Sequence, residues 1–170
     1  FNIYRYKMSK KYLLLLFIFW SLFSCTNTNN EEINSKNISI NPEMLYIDAM
    51  NNFETKEYDL ALEKFEKLEK IFPLSNEAVQ SQIMSAFIDY IKLNYDEAIY
   101  KFNRILTKYP SHKNLDYVYY MKAICYYEKI SHEELDGSNN TNSLENFEQV
   151  LNRFPNSKYA KDSQQKIILV

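Results

Sequence analysis

The sequence predicts an all-α fold, an α-solenoid in which about three and a half pairs of antiparallel helices stack side by side. The first observation is a repeat of 37 residues, because the apolar residues of 49–73 align with those of 86–110. Such a period is typical of solenoids, whose units cannot bury their apolar faces alone. The second is that each repeat holds two apolar sets at helical spacing. The third is composition, since one Gly and four Pro leave little material for hairpin turns.

Each apolar set predicts one helix of a pair. The first has the spacing i, i+3, i+4, i+7 and the second is Ala-x3-Phe-x2-Leu or Ile, so both place their members on one helix face. The first-helix sets are Tyr46, Ala49, Met50 and Phe53, then Ile83, Ala86, Phe87 and Tyr90, then Tyr120, Ala123, Ile124 and Tyr127. The small alanine in each set allows two helices to approach closely.

Polar turns and prolines mark the helix ends. Short polar turns at 55–59 and 92–96 separate the two helices, and we expect Asp59 and Asp96 to cap the second helix of their repeats. A proline then ends each second helix, because it lacks the N–H that a continuing helix uses. These prolines are Pro73, Pro110 and Pro155.

The N-terminus has the pattern of a secretory signal. Residues 1–24 are predicted to be a signal peptide, with Met8 as the true start, because two lysines precede an apolar run at 12–23. That run is shorter than the about 20 residues that span a membrane. It ends in LFSC at 22–25, which resembles the bacterial lipobox and implies lipidation of Cys25. A plain signal or an N-terminal membrane anchor is the alternative.

Residues 25–41 are predicted to be a flexible tether. They are polar, rich in Asn and Ser, and without periodicity. Thr26 follows Cys25, where an Asp commonly retains such proteins in the inner membrane. We therefore expect the chain to be lipid-anchored in the outer membrane, on its periplasmic face.

The folded part is predicted at 42–170. Its repeats are predicted at 42–73, 78–110 and 115–155, with a partial repeat at 157–170. Asn41 should cap the first helix, Ser75 or Asn76 the first helix of the second repeat, and Lys158 should begin the last helix. The sequence ends in apolar residues, whereas a solenoid needs a polar capping end, so we expect a C-terminal truncation.

The third repeat departs from the first two. Its first helix, at 115–130, carries apolar or aromatic residues on all sides, which predicts a helix packed on two sides. Alternatively, some of Tyr117, Tyr119 and Tyr126 line a partner surface. The repeat exceeds the period by eight residues, and we expect the excess to form an extended loop at 131–143.

No group of residues suggests catalysis, a cofactor or a metal site. His112 and His132 are predicted to be solvated loop residues, because no Cys or acidic residue lies at metal-ligand spacing. Cys125 is predicted to be buried in the core, since no His suggests an activated nucleophile. A single Gly excludes a glycine-rich phosphate loop, and a net charge of −2 does not favour a nucleic-acid partner. We therefore expect a protein that is not an enzyme.

Two levels of resemblance follow from these residues. The Ala-x3-Phe…Pro half of each repeat resembles the tetratricopeptide repeat. The stretches YPSHKNLDYVYYMKAI at 109–124 and PNSKYAKD at 155–162 resemble the BamD family, also called ComL, of lipoproteins that assemble β-barrels in the outer membrane. With the lipobox and the tether, the resemblance covers 9–170, about three and a half of five expected repeats.

The resemblance implies a non-enzymatic scaffold that receives unfolded outer-membrane proteins and passes them to the barrel-forming subunit, BamA. It implies that early repeats contact the substrate and other lipoproteins of the machine. Late repeats, which we expect to be missing here, would dock on the POTRA region of BamA. The competing hypothesis is a periplasmic helical-repeat adaptor of cell division or envelope maintenance, against which Cys25 and the 109–124 stretch argue.

Aromatic residues of the first helices form the candidate binding surface. Outer-membrane strands end in aromatic segments of alternating character, and Tyr, Phe and Met offer large apolar contacts to such segments. The candidates are Tyr46, Met50, Phe53, Phe87, Tyr90, Tyr117, Tyr120 and Tyr127. The alternative is that these residues are only the packing stripe of the first helices.

Overall fold

The computed structural model describes residues 40–132 and 137–170, so the predicted signal peptide, Cys25 and most of the tether lie outside the described residues. Within these ranges the chain forms seven helices and no strand. They are α1 (Pro42–Glu54), α2 (Tyr58–Ile71), α3 (Asn76–Ile91), α4 (Tyr95–Lys108), α5 (Leu115–His132), α6 (Ser138–Arg153) and α7 (Ala160–Leu169). Each helix packs on its neighbours in the chain, and α1 and α5 also contact α3. The predicted all-α, tetratricopeptide-like stack of helix pairs is confirmed.

The caps predicted for the first helices of the first two repeats are confirmed. The Asn41 side-chain oxygen accepts a hydrogen bond from the Met44 amide at 2.8 Å, and Pro42 occupies the first helical position. The Ser75 hydroxyl oxygen accepts one from the Ala78 amide at 3.0 Å. Each cap satisfies an amide that would otherwise lack a partner at the helix start.

The prediction that Asp59 and Asp96 cap the second helices is wrong. Both helices begin two residues earlier than such caps require: the N-cap residues are Glu57 and Asn94, and neither makes a side-chain capping bond. The turns explain the difference, because each contains one left-handed residue with φ near 60° that reverses the chain in fewer residues than expected. The two aspartates instead lie in the first helical turn, where a negative charge favours the positive end of the helix.

The ends of the second helices repeat closely. The amides of Phe72, Tyr109 and Phe154 each donate to the carbonyl four residues earlier at 2.9 Å, and these residues close α2, α4 and α6. A proline follows immediately in all three repeats. The predicted role of these prolines as helix stops is confirmed.

The predicted extended loop at 131–143 is wrong for most of its length. The helix α5 continues to His132, so His132 ends a helix and is not a loop residue, and α6 already begins at Ser138. The start of α6 is polar yet packed: Asn139 and Ser143 are buried, and the Ser143 hydroxyl donates to the Ala123 carbonyl at 3.4 Å. Polar packing of this kind leaves no apolar period in the sequence.

The last helix is also shorter than predicted. We expected it from Lys158, but α7 begins at Ala160. Its N-cap residue is Tyr159, and Ser157, two residues earlier, donates its hydroxyl proton to Asp116 on α5 at 2.7 Å. This contact fixes the link before α7 against the preceding repeat.

The core follows the repeated apolar sets. Ala49, Ala86 and Ala123 are fully buried, as expected for small residues between closely packed helices. The largest fully buried side chains are Phe65, Phe102, Phe147, Leu68, Ile88, Ile105, Val118 and Val150. The helix α5 is packed between α4 and α6. This confirms the prediction of a helix packed on two sides, which rested on the apolar residues all round it.

Candidate partner-binding surface

The eight aromatic and methionine candidates lie on the first helix of each repeat, and all are partly buried. Tyr46, Met50 and Phe53 pack against the core cluster formed by α1, α2 and Ile88 of α3. The other five, Phe87, Tyr90, Tyr117, Tyr120 and Tyr127, pack against the core of the second and third repeats. Each therefore contributes to packing and also keeps part of its side chain at the surface.

The candidates form a row of ring contacts that crosses the repeats. The rings of Phe53 and Phe87 lie 6.1 Å apart between centroids, and those of Phe87 and Tyr117 lie 6.4 Å apart. From Tyr117 the row continues to Tyr159 at 5.5 Å, and from Tyr159 to Tyr120 at 4.8 Å. We call these five residues the aromatic row. It joins α1, α3, α5 and the link before α7 through tilted, edge and stacked ring contacts. Such offset ring pairs are favourable beyond the area they bury.

Tyr90 lies beside the aromatic row. Its ring stacks on Phe87 with centroids 6.0 Å apart and meets Tyr95 at 5.9 Å. Burial raises the pKa of its phenol, and the nearby Glu128 carboxylate adds to that effect. The phenol of Tyr90 is therefore neutral at physiological pH and can both donate and accept a hydrogen bond.

Tyr120 and Tyr127 are tied to the third and fourth repeats. The Tyr120 hydroxyl donates to Asp162 of α7 at 2.7 Å, and its ring packs on Phe147 at 6.2 Å. The Tyr127 ring also meets Phe147, and the Lys166 ammonium lies 4.2 Å from the Tyr127 centroid. These contacts give both side chains a clear packing function, the alternative left open from the sequence.

Sequence reasoning missed Tyr159, Tyr58 and Tyr95 as neighbours of this surface. Tyr58 and Tyr95 open the second helices at positions 37 residues apart, and their rings meet Phe53 and Tyr90 at 5.8 and 5.9 Å. The sequence could have identified both residues, because they occupy equivalent positions in consecutive repeats. Tyr159 had no such signal, because it lies in a link and joins the row only through the fold.

The three tyrosines of α5 that the sequence offered as a partner surface have different environments. Burial raises the pKa of Tyr117, which lies in the aromatic row. Tyr119 faces another direction, where its ring packs on Phe154 at 5.9 Å and the Arg153 guanidinium lies 4.9 Å from its centroid. Tyr126 is partly buried on the core of the second and third repeats. They therefore do not form a single surface.

The titratable residues that could suggest chemistry have structural environments. Cys125 is fully buried with a free thiol, and burial raises its pKa to about 12. The thiolate needed for nucleophilic attack is thus strongly disfavoured, in agreement with the predicted core position. His112 is partly buried, not simply solvated: its Nδ1 accepts from the Asn114 amide at 3.3 Å, and its Nε2 lies 3.4 Å from the Gln80 amide nitrogen.

Residues 40–132 and 137–170 bring together no group of three or more His, Cys, Asp or Glu side chains that could hold a metal ion. Over the same residues, no helix combines the length and the apolarity needed to span a bilayer.

Stacked helical hairpins that carry an aromatic row on their first helices define a helical-repeat protein of the tetratricopeptide type. The Arabidopsis OM64 TPR domain has the same fold, with a TM-score of 0.57 over 74% of this chain and 93% of that domain, at 11% identity. The family model YfiO, described as an outer membrane lipoprotein, matches residues 39–170. The chain belongs to this family.

Curated relatives agree with the family. The chain is 35% identical over 126 residues to an outer membrane protein assembly factor BamD from Rickettsia prowazekii, a match that covers 74% of this chain and 50% of that protein. It is 30% identical over 128 residues to the protein of that name from Caulobacter vibrioides, over 75% of this chain and 42% of that protein. The chain thus spans about half the length of these relatives. The resemblance to the BamD family is confirmed.

Proposed function

We propose that this chain is a non-enzymatic scaffold of the outer-membrane β-barrel assembly machine, which receives unfolded outer-membrane proteins. Membership of the YfiO family and the names of the relatives support this role. The observation that carries the proposal is the aromatic row, which runs across consecutive repeats with each ring partly exposed. Such a row matches a strand whose alternate side chains are apolar or aromatic.

The row suits an extended peptide for a physical reason. Side chains on one face of a strand recur every two residues, at about 6.6 Å. The ring centroids of Phe53, Phe87 and Tyr117 are spaced at 6.1 and 6.4 Å, close to this repeat. An incoming strand could therefore place successive aromatic residues against successive rings. Tyr90 adds a neutral hydroxyl next to the row that can bond to the peptide backbone.

We further propose that the chain is held at the periplasmic face of the outer membrane by a lipid on Cys25. The lipobox-like residues before Cys25 and the polar tether after it support this anchoring. More than one acyl chain is needed for stable attachment, and modified lipoprotein cysteines would supply it. Partners would be BamA, through its POTRA region, and other lipoproteins of the machine, with no docking surface assigned on the described residues.

The test is binding of a peptide from the C-terminal strand of an outer-membrane barrel, measured by fluorescence anisotropy. Tyr90→Ser removes a ring beside the row without touching the contacts that hold α7. We expect it to weaken binding by about tenfold, the loss for one aromatic contact in an apolar site. Tyr120 is less suitable for this test, because its hydroxyl and ring also fix α7.

Tyr100→Ser is the matched control. Tyr100 lies on α4, a second helix, and its side chain is 60% exposed. We expect this variant to bind like the wild type. Equal affinity of Tyr90→Ser and the wild type, with unchanged helix content by circular dichroism, would remove the aromatic row as the receiving surface.

A further inference from the structure

A stripe of three side chains runs along α5 on a different side from the aromatic row. Tyr119, Lys122 and Tyr126 are spaced i, i+3, i+7, which places them on one helix face. All three are partly buried. Tyr117 of the aromatic row lies two positions before Tyr119, about 200° around the helix. We call Tyr119, Lys122 and Tyr126 the α5 stripe.

The α5 stripe is more positive than the equivalent face of the preceding repeat. At the positions 37 residues earlier, α3 carries Ser85 in place of Lys122 and Asp89 in place of Tyr126. The first difference adds a positive charge and the second removes a negative one. On α3 the Asp89 carboxylate pairs with Lys101 of α4 at 2.6 Å. The α5 stripe therefore has a cation where the α3 face has none, and it lacks the acid that the α3 face supplies.

Lys122 differs from the other partly buried lysines of residues 40–132 and 137–170. Three of the others pair with an aspartate at 2.6 to 2.8 Å, and the fourth lies over a tyrosine ring. These four are Lys64, Lys101, Lys129 and Lys166. Within the same residues, Lys122 has neither an ion pair nor a ring contact of this kind.

The surroundings of Lys122 favour an additional negative charge. Burial lowers the pKa of Lys122, and the Glu145 carboxylate on α6 opposes that effect only in part. A partly buried ammonium is costly when no carboxylate lies within ion-pair distance. An anion that approaches from outside would therefore stabilise its charged form.

A second cation lies at the same stripe. The Arg153 guanidinium of α6 is 4.9 Å from the Tyr119 ring centroid and donates to the Tyr119 hydroxyl. Arg153 is exposed, and no Asp or Glu in the described part of the chain forms an ion pair with it. A guanidinium has five N–H donors, so the bond to Tyr119 leaves enough of them to hold a carboxylate.

We propose that the α5 stripe and Arg153 bind an acidic segment of a partner protein. One carboxylate of that segment pairs with Lys122, and another pairs with Arg153. The rings of Tyr119 and Tyr126 pack on the methylene groups that carry these carboxylates. This surface lies on a different side of α5 from the aromatic row, so the two can be occupied together. The inference goes beyond the receiving role and does not depend on it.

The test uses the full chain in detergent and three probes: acetyl-Gly-Glu-Gly-Glu-Gly-amide, the same peptide with glutamine in place of glutamate, and inorganic phosphate. Binding is followed by the NMR shifts of the Lys122 backbone amide and the Arg153 Nε–H group. We expect the glutamate peptide to move both resonances in a saturable manner. Lys122→Met should weaken that binding by about tenfold, the change for loss of one charge-assisted hydrogen bond, and Lys122→Arg should restore most of it.

Lys67→Met is the matched control, because Lys67 is exposed on α2 and lies outside the α5 stripe. It should bind the glutamate peptide like the wild type. Equal shifts with the glutamine peptide would mean that the surface does not recognise carboxylates, and equal shifts with phosphate would mean a general anion site. Either result, or no shift at all, would overturn the proposal. Tyr90→Ser should leave the shifts unchanged, which separates this surface from the aromatic row.

Discussion

Lys92 and Asp59 form an ion pair across the boundary between the first two repeats, with Nζ and Oδ1 2.6 Å apart. The same relationship recurs 37 residues later between Lys129 and Asp96, also at 2.6 Å. In both cases a lysine at or near the end of a first helix meets an aspartate in the first turn of the preceding second helix. The contact is therefore a property of the repeat and links neighbouring repeats in register.

This pair should make a small contribution to stability that depends on salt. The hydrogen bond to Asp59 raises the pKa of Lys92, but the side chains of Lys92 and Asp59 are 36% and 88% exposed, and exposed pairs are weakly stabilising. We expect Asp59→Asn to lower the melting temperature slightly at low salt and not at about 1 M salt, where the Debye length is about 3 Å. Thermal unfolding at the two salt concentrations measures this. An equal loss of melting temperature at the two salt concentrations would mean that the aspartate acts through the helix turn and not through Lys92. Glu148→Gln, at an exposed residue of α6, is the control.

The burial of a leucine should decide how much its truncation to alanine costs. Leu68 is fully buried, whereas Leu74, in the link after α2, is 99% exposed. We expect Leu68→Ala to lower the free energy of unfolding by about 2–5 kcal/mol and Leu74→Ala by less than about 0.5 kcal/mol. Urea denaturation followed by circular dichroism measures both. Similar losses for the two variants would contradict the packing of α2.

The buried tyrosines should make the fold sensitive to alkali. Burial raises the pKa of Tyr117, and burial together with the bond to Asp162 raises that of Tyr120. In the unfolded chain these phenols lose protons near pH 10, so the unfolded state then binds fewer protons than the native state. Stability is therefore complete below about pH 10 and falls as the pH rises further.

An alkaline titration checks this sign. The phenolate absorbance of the buried tyrosines should appear only together with the loss of helix by circular dichroism. Tyr117→Phe should reduce the slope of stability against pH above about pH 10. Ionisation of every tyrosine near pH 10 with the helices intact would contradict the burial of these rings.

The lipid anchor gives a prediction in cells. Cys25→Ser removes the sulfur that would carry the lipid, and we expect the variant to lose incorporation of labelled palmitate. It should also move from the membrane fraction to the soluble periplasmic fraction, because acyl chains supply the membrane affinity. Cys125→Ser is the control, since this thiol is buried in the core. Membrane attachment without label in the wild type would favour an uncleaved N-terminal segment as the anchor.

The sequence predicted the elements whose apolar residues repeat, and it failed where the fold depends on other interactions. Ala49 and Ala86 identified the helix pairs because their burial imposes a period of 37 residues. The second-helix starts were misplaced because Lys56 and Leu93 adopt left-handed backbone conformations, which favour Gly and are not expected at Lys or Leu.

The residues of the candidate surface were likewise predictable only where they belong to a repeated helix face. Phe53, Phe87 and Tyr117 belong to periodic helix faces, and the structure brings their rings together. Tyr159 was not predictable, because it reaches the row from a link through contacts with α5. The beginning of α6 was missed for a similar reason, since the bond from Ser143 to the Ala123 carbonyl joins two helices through polar atoms.

The most direct test of the proposed receiving surface is site-specific photocrosslinking in living cells. A benzophenone amino acid replaces Tyr90 beside the aromatic row or, as the control, the exposed Tyr100 of α4. We predict crosslinks from position 90 to newly synthesised outer-membrane proteins and none from position 100. Crosslinks to these proteins from both positions alike, or from neither, would contradict the account.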